Sequence, residues 1–234
     1  ALSNAIARKS FQVYYQPVYN AKNNRFIGLE ALVRLKDSNL GMISPEEFIS
    51  LAEKDGSIIA IGEIVLEKVC KFVEQYHPED FGIKSVNINL STIQCMQENS
   101  IYKLTSITND YRIPKGFINY EITEQTGENI LNFENIIAEC NKKGINFTLD
   151  NYGAGHCSQC NLLNYNYSSV KIDKSRIWNC ELDEKCQISL KHTVSMLTEL
   201  GMTVIAQGVE SQAQNDLLCE LGCENMQGFY FAKP

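Results

Sequence analysis

The sequence has no apolar run long enough to cross a bilayer, since no hydrophobic segment approaches the roughly 20 residues that a membrane helix needs. It has no excess of positive charge either. The formal net charge is −7, so bulk electrostatic attraction to DNA or to an anionic membrane is not expected. Histidine is scarce, and its three residues are scattered and form no triad with a nucleophile (His77, His156 and His192). A membrane contact by this domain, DNA binding through bulk charge and histidine-based catalysis are therefore disfavoured.

The sequence also lacks the marks of a leader peptide and of a domain boundary. Residues 1–5 (ALSNA) are not a basic segment, and no apolar segment of the kind found in signal peptides follows them. No low-complexity stretch, charge block or Pro/Gly-rich linker interrupts the chain, which favours a single domain over residues 1–234. No initiator methionine is present, so we expect a domain cut from a longer multidomain protein, although removal of the methionine would give the same start. We expect a cytoplasmic location, either for the protein or for this domain of a larger protein.

Cysteine is abundant, at nine residues. Cys157 and Cys160, next to His156, have the spacing of half a zinc site or of a redox pair. A structural zinc needs four ligands, and no second pair of comparable spacing is present, because Cys219 and Cys223 fall in a helical pattern. We therefore expect free thiols that act as small apolar residues in a reducing cytosol. The metal or redox pair is the alternative.

Short β-branched runs alternate with longer segments of helical period along the chain. The runs predict strands at residues 12–18, 26–35, 85–90, 117–122, 146–150, 168–172, 203–206 and 225–229. The longer segments predict helices at residues 45–53, 58–75, 100–110, 133–143, 184–200 and 212–221. Ser44 and Pro45 supply an N-cap and a first helical residue. Gly144 and Gly201 follow helices where a left-handed residue is favoured.

This alternation of strands and helices predicts a parallel sheet, and about eight strands in a chain of this length favour a closed α/β barrel. A doubly wound open sheet is the rival fold, but no glycine-rich phosphate-binding fingerprint follows the early strands. The first two strands are joined only by the short turn 21–24, with no helix between them. We therefore expect an antiparallel hairpin to open the barrel.

Polar residues recur where successive strands end, at Glu30, Asn89, Glu121, Asp150 and Asn151, Lys171 and Asp173, Gln207, and Gln227. In a barrel these C-terminal strand ends converge on one face, where barrel active sites lie. A carboxylate on a buried strand is costly unless it is paired or bound to a metal. The repetition therefore predicts one polar site, although any single member could be an ordinary polar cap.

Four segments carry a resemblance to a known family: residues 28–34 (GLEALVR), 148–155 (TLDNYGAG), 170–173 (VKID) and 206–210 (AQGVE). Together they resemble the EAL family, the bacterial cyclic-di-GMP phosphodiesterases. The resemblance extends from residues 15–17 (YQP) to residues 227–230 (QGFY). It implies a TIM-like (β/α)8 barrel with an antiparallel first strand, and hydrolysis of cyclic-di-GMP to pGpG with two Mg²⁺ or Mn²⁺ ions.

The resemblance assigns a first metal site to four residues that are all present, namely Glu30, Asn89, Glu121 and Asp150. The second site of the family adds the second aspartate of a DDFGTG pattern and the glutamate of AEGVE. Here those two positions are Asn151 and Gln207. Each replacement preserves size but removes a full negative charge, and hard divalent cations prefer anionic oxygen ligands. The resemblance therefore implies Mg²⁺ or Mn²⁺ at one site at most.

Other residues of the family pattern are matched as well. Lys171 matches the catalytic lysine, and Glu124 matches the glutamate that braces the loop after the fifth strand. That loop is altered at Ala154, His156 and Cys157, which puts a homodimer contact in doubt. The ligand-binding residues are matched at Gln16, Leu32, Arg34, Glu210, Gln227 and Gly228. Among them, Arg34 is implied at a phosphate, for which a planar guanidinium is suited, and Glu210 and Gln227 are implied at a guanine edge.

These matches support three hypotheses about function. The first is a degenerate EAL domain that binds cyclic-di-GMP as a signalling receptor with little or no hydrolysis. The second is a slow Mg²⁺- or Mn²⁺-dependent phosphodiesterase, because one metal site and Lys171 remain. The third is a nucleotide-independent protein-interaction module, which loss of Arg34 or Glu210 would have favoured. We expect the first, with a second copy of the chain or other signalling domains as further partners.

Overall fold

The computed structural model describes residues 2–8, 10–37, 41–97, 99–123, 130–154, 162–163, 165–181 and 183–234. Within these residues lie nine strands: β1 (Phe11–Asn20), β2 (Arg25–Asp37), β3 (Gly41–Ile43), β4 (Ser85–Asn89), β5 (Ile118–Thr123), β6 (Asn146–Tyr152), β7 (Ser169–Ile172), β8 (Thr203–Gln207) and β9 (Asn225–Gln227). Their order in the sheet is β1-β9-β8-β7-β6-β5-β4-β2-β3, and a further pairing of β1 with β2 closes eight of them into a barrel.

The direction of the strands confirms the EAL-type barrel. Strands β2 and β4 to β9 pair in parallel around the ring. Strand β1 is antiparallel to both of its neighbours, β2 and β9. The turn 21–24 joins β1 directly to β2, so the predicted opening hairpin is confirmed. Strand β3 lies outside the ring as an antiparallel extension of β2.

The helices pack around this ring. In chain order they are α1 (Leu2–Ala7), α2 (Pro45–Asp55), α3 (Ile58–Tyr76), α4 (Thr92–Cys95), α5 (Ser100–Asn109), α6 (Ile130–Lys142), α7 (Lys174–Cys180), α8 (Glu184–Glu199) and α9 (Gln212–Glu220). A short 3-10 helix covers Pro78–Phe81. All eight predicted strands and all six predicted helices are present, with ends that differ by at most three residues. Helices α1, α4 and α7 and strand β3 were not predicted.

Local chemistry explains most of the helix ends. Gly144 and Gly201 follow α6 and α8 with φ of 81° and 82°, as expected of left-handed residues after a helix. Ser211 and Gln214 form a reciprocal capping box at the start of α9. At α2, Pro45 starts the helix as predicted, but the Ser44 side chain makes no capping hydrogen bond. None of the described helices has the length and apolar character needed to span a membrane.

Alternation along the strands separates an apolar shell from a polar interior. On β5, Ile118, Tyr120 and Ile122 belong to the hydrophobic core that packs the strands against helices such as α3. The intervening residues Asn119 and Glu121 take part in hydrogen bonds with polar groups of other strands. Because successive side chains of a strand point to opposite faces of the sheet, each strand contributes apolar residues to the core on one face and polar residues to the barrel interior on the other. This pattern positions the site.

The cysteines behave as the sequence predicts within the described residues. Seven of them carry free thiols, and five of the seven are buried (Cys70, Cys95, Cys140, Cys180 and Cys223). Burial raises the pKa of Cys223 to about 12. Cys157 and Cys160, the candidate metal or redox pair, lie outside the described residues, so that alternative stays open.

Two cysteines that are close in sequence, Cys219 and Cys223, should differ in their rates of thiol alkylation. Cys219 is exposed whereas Cys223 is buried, and a raised pKa leaves Cys223 with little of the reactive thiolate. We expect iodoacetamide at pH 8 to modify Cys223 at least about 100-fold more slowly than Cys219 in the folded protein. Peptide mass spectrometry measures both rates, and a sample unfolded in urea is the control in which they should become similar. Equal rates in the folded protein would contradict the burial of Cys223.

Candidate functional site

The C-terminal ends of seven barrel strands bring together most of the polar residues named from the sequence. They are Glu30 on β2, Asn89 on β4, Glu121 on β5, Asp150 on β6, Lys171 on β7, Gln207 on β8 and Gln227 on β9. Glu30, Glu121, Asp150, Lys171 and Gln227 are each at most 9% exposed. The predicted convergence at one face of the barrel is therefore present.

Lys171 lies at the centre of this group with a fully buried side chain. Its Nζ donates to Oε2 of Glu30 at 2.6 Å and contacts both carboxylate oxygens of Glu121 at 2.7 and 2.8 Å. Burial alone would lower the pKa of Lys171, but the charges of Glu121 and Glu30 raise it above its usual range. The ammonium therefore stays charged and bridges two carboxylates from separate strands.

Amide donors complete the surroundings of Glu30. Asn89 donates from Nδ2 to Oε1 of Glu30 at 3.0 Å, and Gln227 donates from Nε2 to Oε2 at 2.7 Å. Burial opposes ionisation of Glu30, yet Lys171 and the two amides outweigh it and lower the pKa of this carboxyl group. Gln227 also donates to Oε1 of Gln16 at 3.2 Å, while its own Oε1 is buried and has no hydrogen-bond partner in the described part of the chain.

Glu121 has a support that sequence reasoning missed. Asn87 donates from Nδ2 to Oε1 of Glu121 at 2.7 Å, and Asn119 donates in turn to Oδ1 of Asn87 at 3.4 Å. Burial, followed by the neighbouring charge of Glu30, raises the pKa of Glu121. A period of two could have identified Asn87, because it lies two residues before Asn89 on the same strand face.

The third carboxylate, Asp150, is held by two amides, at the positions where the resemblance implies carboxylates. Gln207 donates from Nε2 to Oδ1 of Asp150 at 2.9 Å, and Asn151 donates from Nδ2 to Oδ2 at 3.1 Å. The pairing of β6 with β7 shifts between Leu149 and Tyr152, and Asn151 is left-handed there with φ of 56°. Such bulges redirect side chains next to active sites, and asparagine tolerates the left-handed conformation.

The donor chemistry fits one divalent cation, although the side chains are arranged without one. Three carboxylates and the Asn89 amide are the hard oxygen ligands that Mg²⁺ or Mn²⁺ prefers. Within the described part of the chain, however, no three His, Cys, Asp or Glu side chains are grouped closely enough to hold a metal ion. Lys171 is inserted between Glu30 and Glu121, and the amides of Gln207 and Asn151 cover Asp150. A bound ion would therefore replace contacts that Lys171 makes.

Two cavities flank the carboxylates, and Glu30 borders both. The first, here the α2–α3 cavity, has a volume of about 350 Å³ and is lined by Leu32 and Arg34, Glu121, and apolar residues of α2 and α3. Arg34 donates to its neighbour's carbonyl at Val33 O, 2.9 Å away, and its guanidinium lies 5.7 Å from the Tyr14 ring centroid. The guanidinium is paired with no carboxylate among the described residues.

The second, here the β8–β9 cavity, has a volume of about 190 Å³ and is lined by Gln16, Glu30, Lys174, Trp178, Gln207, Gly208, Glu210, Gln227, Gly228 and Phe229. It contains four of the six ligand-binding residues implied by the resemblance, and the other two line the α2–α3 cavity. Trp178 and Lys174 on α7 were not recognised from the sequence. Glu124 lies outside the described residues, so its role stays a prediction.

Gly228 fixes the wall of the β8–β9 cavity by close backbone contact. A Cβ added there would lie 2.0 Å from Val209 O and 2.4 Å from Val209 N. The same two loops are joined by hydrogen bonds from Val209 N to Gln227 O at 3.1 Å and from Tyr230 N to Val209 O at 3.0 Å. Any side chain at Gly228 therefore has to push the two loops apart.

We expect Gly228→Ala to lower the free energy of unfolding by about 1–3 kcal/mol, the usual cost of overpacking. The matched control is Gly28→Ala, where the nearest atom to an added Cβ is Val18 Cβ at 3.6 Å, an ordinary contact. Urea unfolding of both variants measures the difference. If Gly228→Ala proved as stable as Gly28→Ala, the close approach of the two loops would be wrong.

An eight-stranded barrel with ionisable groups gathered at the C-terminal strand ends has the architecture of barrel enzymes. The family model of the EAL domain matches residues 1–234 of the chain. The chain therefore belongs to the EAL family.

Relatives and solved structures agree with this assignment. The signaling protein YkoW of Bacillus subtilis is 33% identical over 234 residues, which is all of this chain and 29% of YkoW. The bifunctional diguanylate cyclase/cyclic di-GMP phosphodiesterase MucR of Pseudomonas aeruginosa is 29% identical over 234 residues, which is 34% of MucR. The chain thus spans about a third of the length of these relatives. The structure of the PaMucR phosphodiesterase in its c-di-GMP complex matches with a TM-score of 0.91 and 29% identity, covering 100% of this chain and 95% of that chain.

Proposed function

We propose that this domain binds cyclic-di-GMP as a signalling receptor in the cytoplasm and hydrolyses it little or not at all. The observation that carries the proposal is the arrangement around Asp150. Both oxygens of this carboxylate accept hydrogen bonds from the amides of Gln207 and Asn151, at 2.9 and 3.1 Å. These amides present their N–H groups, and not their oxygens, to the carboxylate of Asp150, whereas a second cation would need oxygen ligands from both residues.

The charge of the site supports one cation at most. A divalent cation favours the ionised form of carboxyl groups whose pKa is raised by burial, as those of Glu121 and Asp150 are. With these two groups and Glu30 ionised for the ion and Lys171 protonated, the charge of the cluster before the ion is counted is −2. One Mg²⁺ or Mn²⁺ ion, held by Glu30, Asn89, Glu121 and Asp150, would neutralise it. Two acidic residues at positions 151 and 207 would be needed to balance a second ion. When bound, a divalent ion polarises a phosphate oxygen and lowers the pKa of a coordinated water.

The surroundings of the carboxylates support a cyclic dinucleotide as the ligand. A cyclic dinucleotide carries two bases and two phosphates, and here two cavities lie on either side of Glu30. The Arg34 guanidinium, which pairs with no carboxylate of the described residues, suits a phosphate in the α2–α3 cavity. In the β8–β9 cavity, the buried Oε1 of Gln227 has no hydrogen-bond partner among the residues that the structure describes, and an N–H donor of a base that reaches it would satisfy it. The related PaMucR phosphodiesterase was solved in complex with c-di-GMP.

One observation favours slow hydrolysis as a second candidate. Lys171 and three carboxylates persist at the site, so a single ion could still support some cleavage. A nucleotide-independent interaction module is less well supported, because both cavities retain the residues that would contact the ligand. A second copy of the chain or other signalling domains would be the partners that receive the signal.

Calorimetric titration of cyclic-di-GMP into the domain with Mn²⁺ present tests the proposal. We expect saturable binding, followed by recovery of intact dinucleotide when the cell contents are separated on a column. We expect Arg34→Ala to weaken binding by about 10- to 100-fold, since hydrogen bonds to charged groups contribute about 1.5–3 kcal/mol. The exposed Arg112 provides the matched control, Arg112→Ala. Formation of pGpG in proportion to protein would support the slow enzyme, and absence of a binding isotherm would contradict both.

A further inference from the structure

The chain contains one tryptophan, Trp178 on α7, and it stands at the β8–β9 cavity. Its indole Nε1 donates to the carbonyl oxygen of Gly208 at 2.9 Å, which fixes the ring against the loop after β8. The ring nevertheless remains 41% exposed. A large aromatic side chain that lines a cavity, is partly exposed and is anchored through its one polar atom is suited to stacking.

The neighbours of Trp178 give the cavity the composition of a base-binding pocket. Phe229 is a second aromatic residue in its lining and is 56% exposed. Glu210 and Gln227 line the same cavity with hydrogen-bonding groups. Single exposed aromatic side chains are common on protein surfaces, but two that share one cavity with such groups form an aromatic platform with a polar edge.

Tight packing at Gly208 holds this arrangement in place before any ligand binds. A Cβ added to Gly208 would lie 2.5 Å from Cβ of Lys174, the first residue of α7. The Lys174 ammonium lies 5.2 Å from the centroid of the Trp178 ring, and both residues line the cavity. Helix α7 thus approaches the loop after β8 through its backbone, and it presents an aromatic ring and a positive charge side by side.

We propose that Trp178 is a base-stacking residue of the β8–β9 cavity, on which one purine base of a bound cyclic dinucleotide lies. The inference rests on the proposed function and adds a contact residue to it. The indole supplies a stacking surface, and Glu210 and Gln227 accept hydrogen bonds from the N–H edge of the base. The Lys174 ammonium lies over one face of the ring, 5.2 Å from its centroid, so the base stacks on the other face and the ammonium provides a cation for the adjoining phosphate. Guanine presents two adjacent donors, N1–H and N2–H, on one edge, whereas adenine has an acceptor at N1 beside its N6 amino group, so two acceptors in the pocket favour guanine over adenine.

Fluorescence gives a direct test, because all tryptophan emission of this chain comes from Trp178. We expect cyclic-di-GMP to quench this emission with the affinity measured by calorimetry, and cyclic-di-AMP to quench it only at much higher concentration. Base stacking on an aromatic residue contributes about 1–3 kcal/mol, so Trp178→Ala should weaken binding by about 10- to 100-fold. Trp178→Phe keeps a stacking ring but loses the hydrogen bond to Gly208, and it should bind within about threefold of the wild type.

The control is Tyr102→Ala, which removes a 69% exposed aromatic side chain from α5 and should leave binding unchanged. Urea unfolding of each variant separates loss of binding from loss of folding.

If calorimetry shows binding while the emission stays constant and Trp178→Ala binds like the wild type, the stacking role is wrong and the receptor function stands. Equal weakening by Trp178→Ala and Trp178→Phe would also overturn stacking, since the anchor to Gly208 would then be the important feature. Absence of any isotherm for the wild type would overturn the proposed function itself.

Discussion

Replacement of Lys171 by methionine should lower the free energy of unfolding by about 3–5 kcal/mol in the presence of a chelator, the cost of removing one partner from a buried ion pair. Methionine has a similar length and no charge, so the change isolates the ammonium. Without it, Glu30 loses its contact at 2.6 Å and Glu121 loses contacts at 2.7 and 2.8 Å. Two carboxylates then remain in the barrel without a cation. Urea unfolding followed by circular dichroism measures the loss.

The matched control is Lys103→Met. Lys103 pairs with Glu63 at 3.3 Å, but the two side chains are 56% and 38% exposed, and exposed ion pairs contribute at most about 1 kcal/mol. Similar stability of the two variants would contradict the central role assigned to Lys171.

Added Mn²⁺ provides a second arm of this experiment. An ion that binds only the folded state raises its stability by RT ln(1 + L/Kd), where L is the concentration of free ion, so the gain grows with the logarithm of that concentration. If Lys171 takes the place of a cation, Mn²⁺ should stabilise Lys171→Met more strongly than the wild type. An equal response of both proteins would show that the ion and Lys171 do not share one position.

The strands and the longer helices could be predicted from sequence because each repeats its pattern several times. Helix α3, with 19 residues, shows a full apolar face, and the strands alternate or are continuously apolar. Helix α7 has only seven residues and β3 only three, so little of a period is visible in either. Strand β9 is as short as β3 and was predicted only as part of the longer run 225–229. Their position is decided by tertiary contacts, such as the packing of Lys174 on Gly208.

The identity of the site residues could be predicted, but their orientation could not. The ordered strand ends and the family resemblance named Glu30, Asp150 and Lys171. They could not show that Lys171 bridges Glu30 and Glu121, which lie 141 and 50 residues away in sequence and meet only when the barrel closes. Nor could they indicate Trp178, whose role depends on the loop that it contacts, whereas Asn87 could have been found by extending the period of two back from Asn89.

The largest change in activity is expected from restoring two carboxylates, in the double variant Asn151→Asp with Gln207→Glu. We expect Mn²⁺-dependent formation of pGpG to rise by at least about 100-fold over the wild type. A second ion that clamps the reacting phosphate contributes several kcal/mol to the transition state, and about 1.4 kcal/mol corresponds to a factor of ten. The backbone should tolerate the change, since aspartate, like asparagine, adopts the left-handed conformation that residue 151 has at φ of 56°.

The stability of the same double variant should depend on bound metal. This dependence would show that the added negative charges, and not a change in the shape of the site, cause the effect. In chelator, the new carboxylates face Asp150 at positions where amides donated to it at 2.9 and 3.1 Å, so attraction is replaced by repulsion. We therefore expect a lower free energy of unfolding without Mn²⁺ and recovery with it, measured by urea unfolding.

Each single variant is the control and should gain little cleavage, because one restored carboxylate leaves the other amide in place. Rescue of stability by Mn²⁺ without any pGpG would mean that the second ion binds but that the defect in hydrolysis lies elsewhere. If neither stability nor cleavage responded to Mn²⁺, the amides at 151 and 207 would not be what limits metal binding.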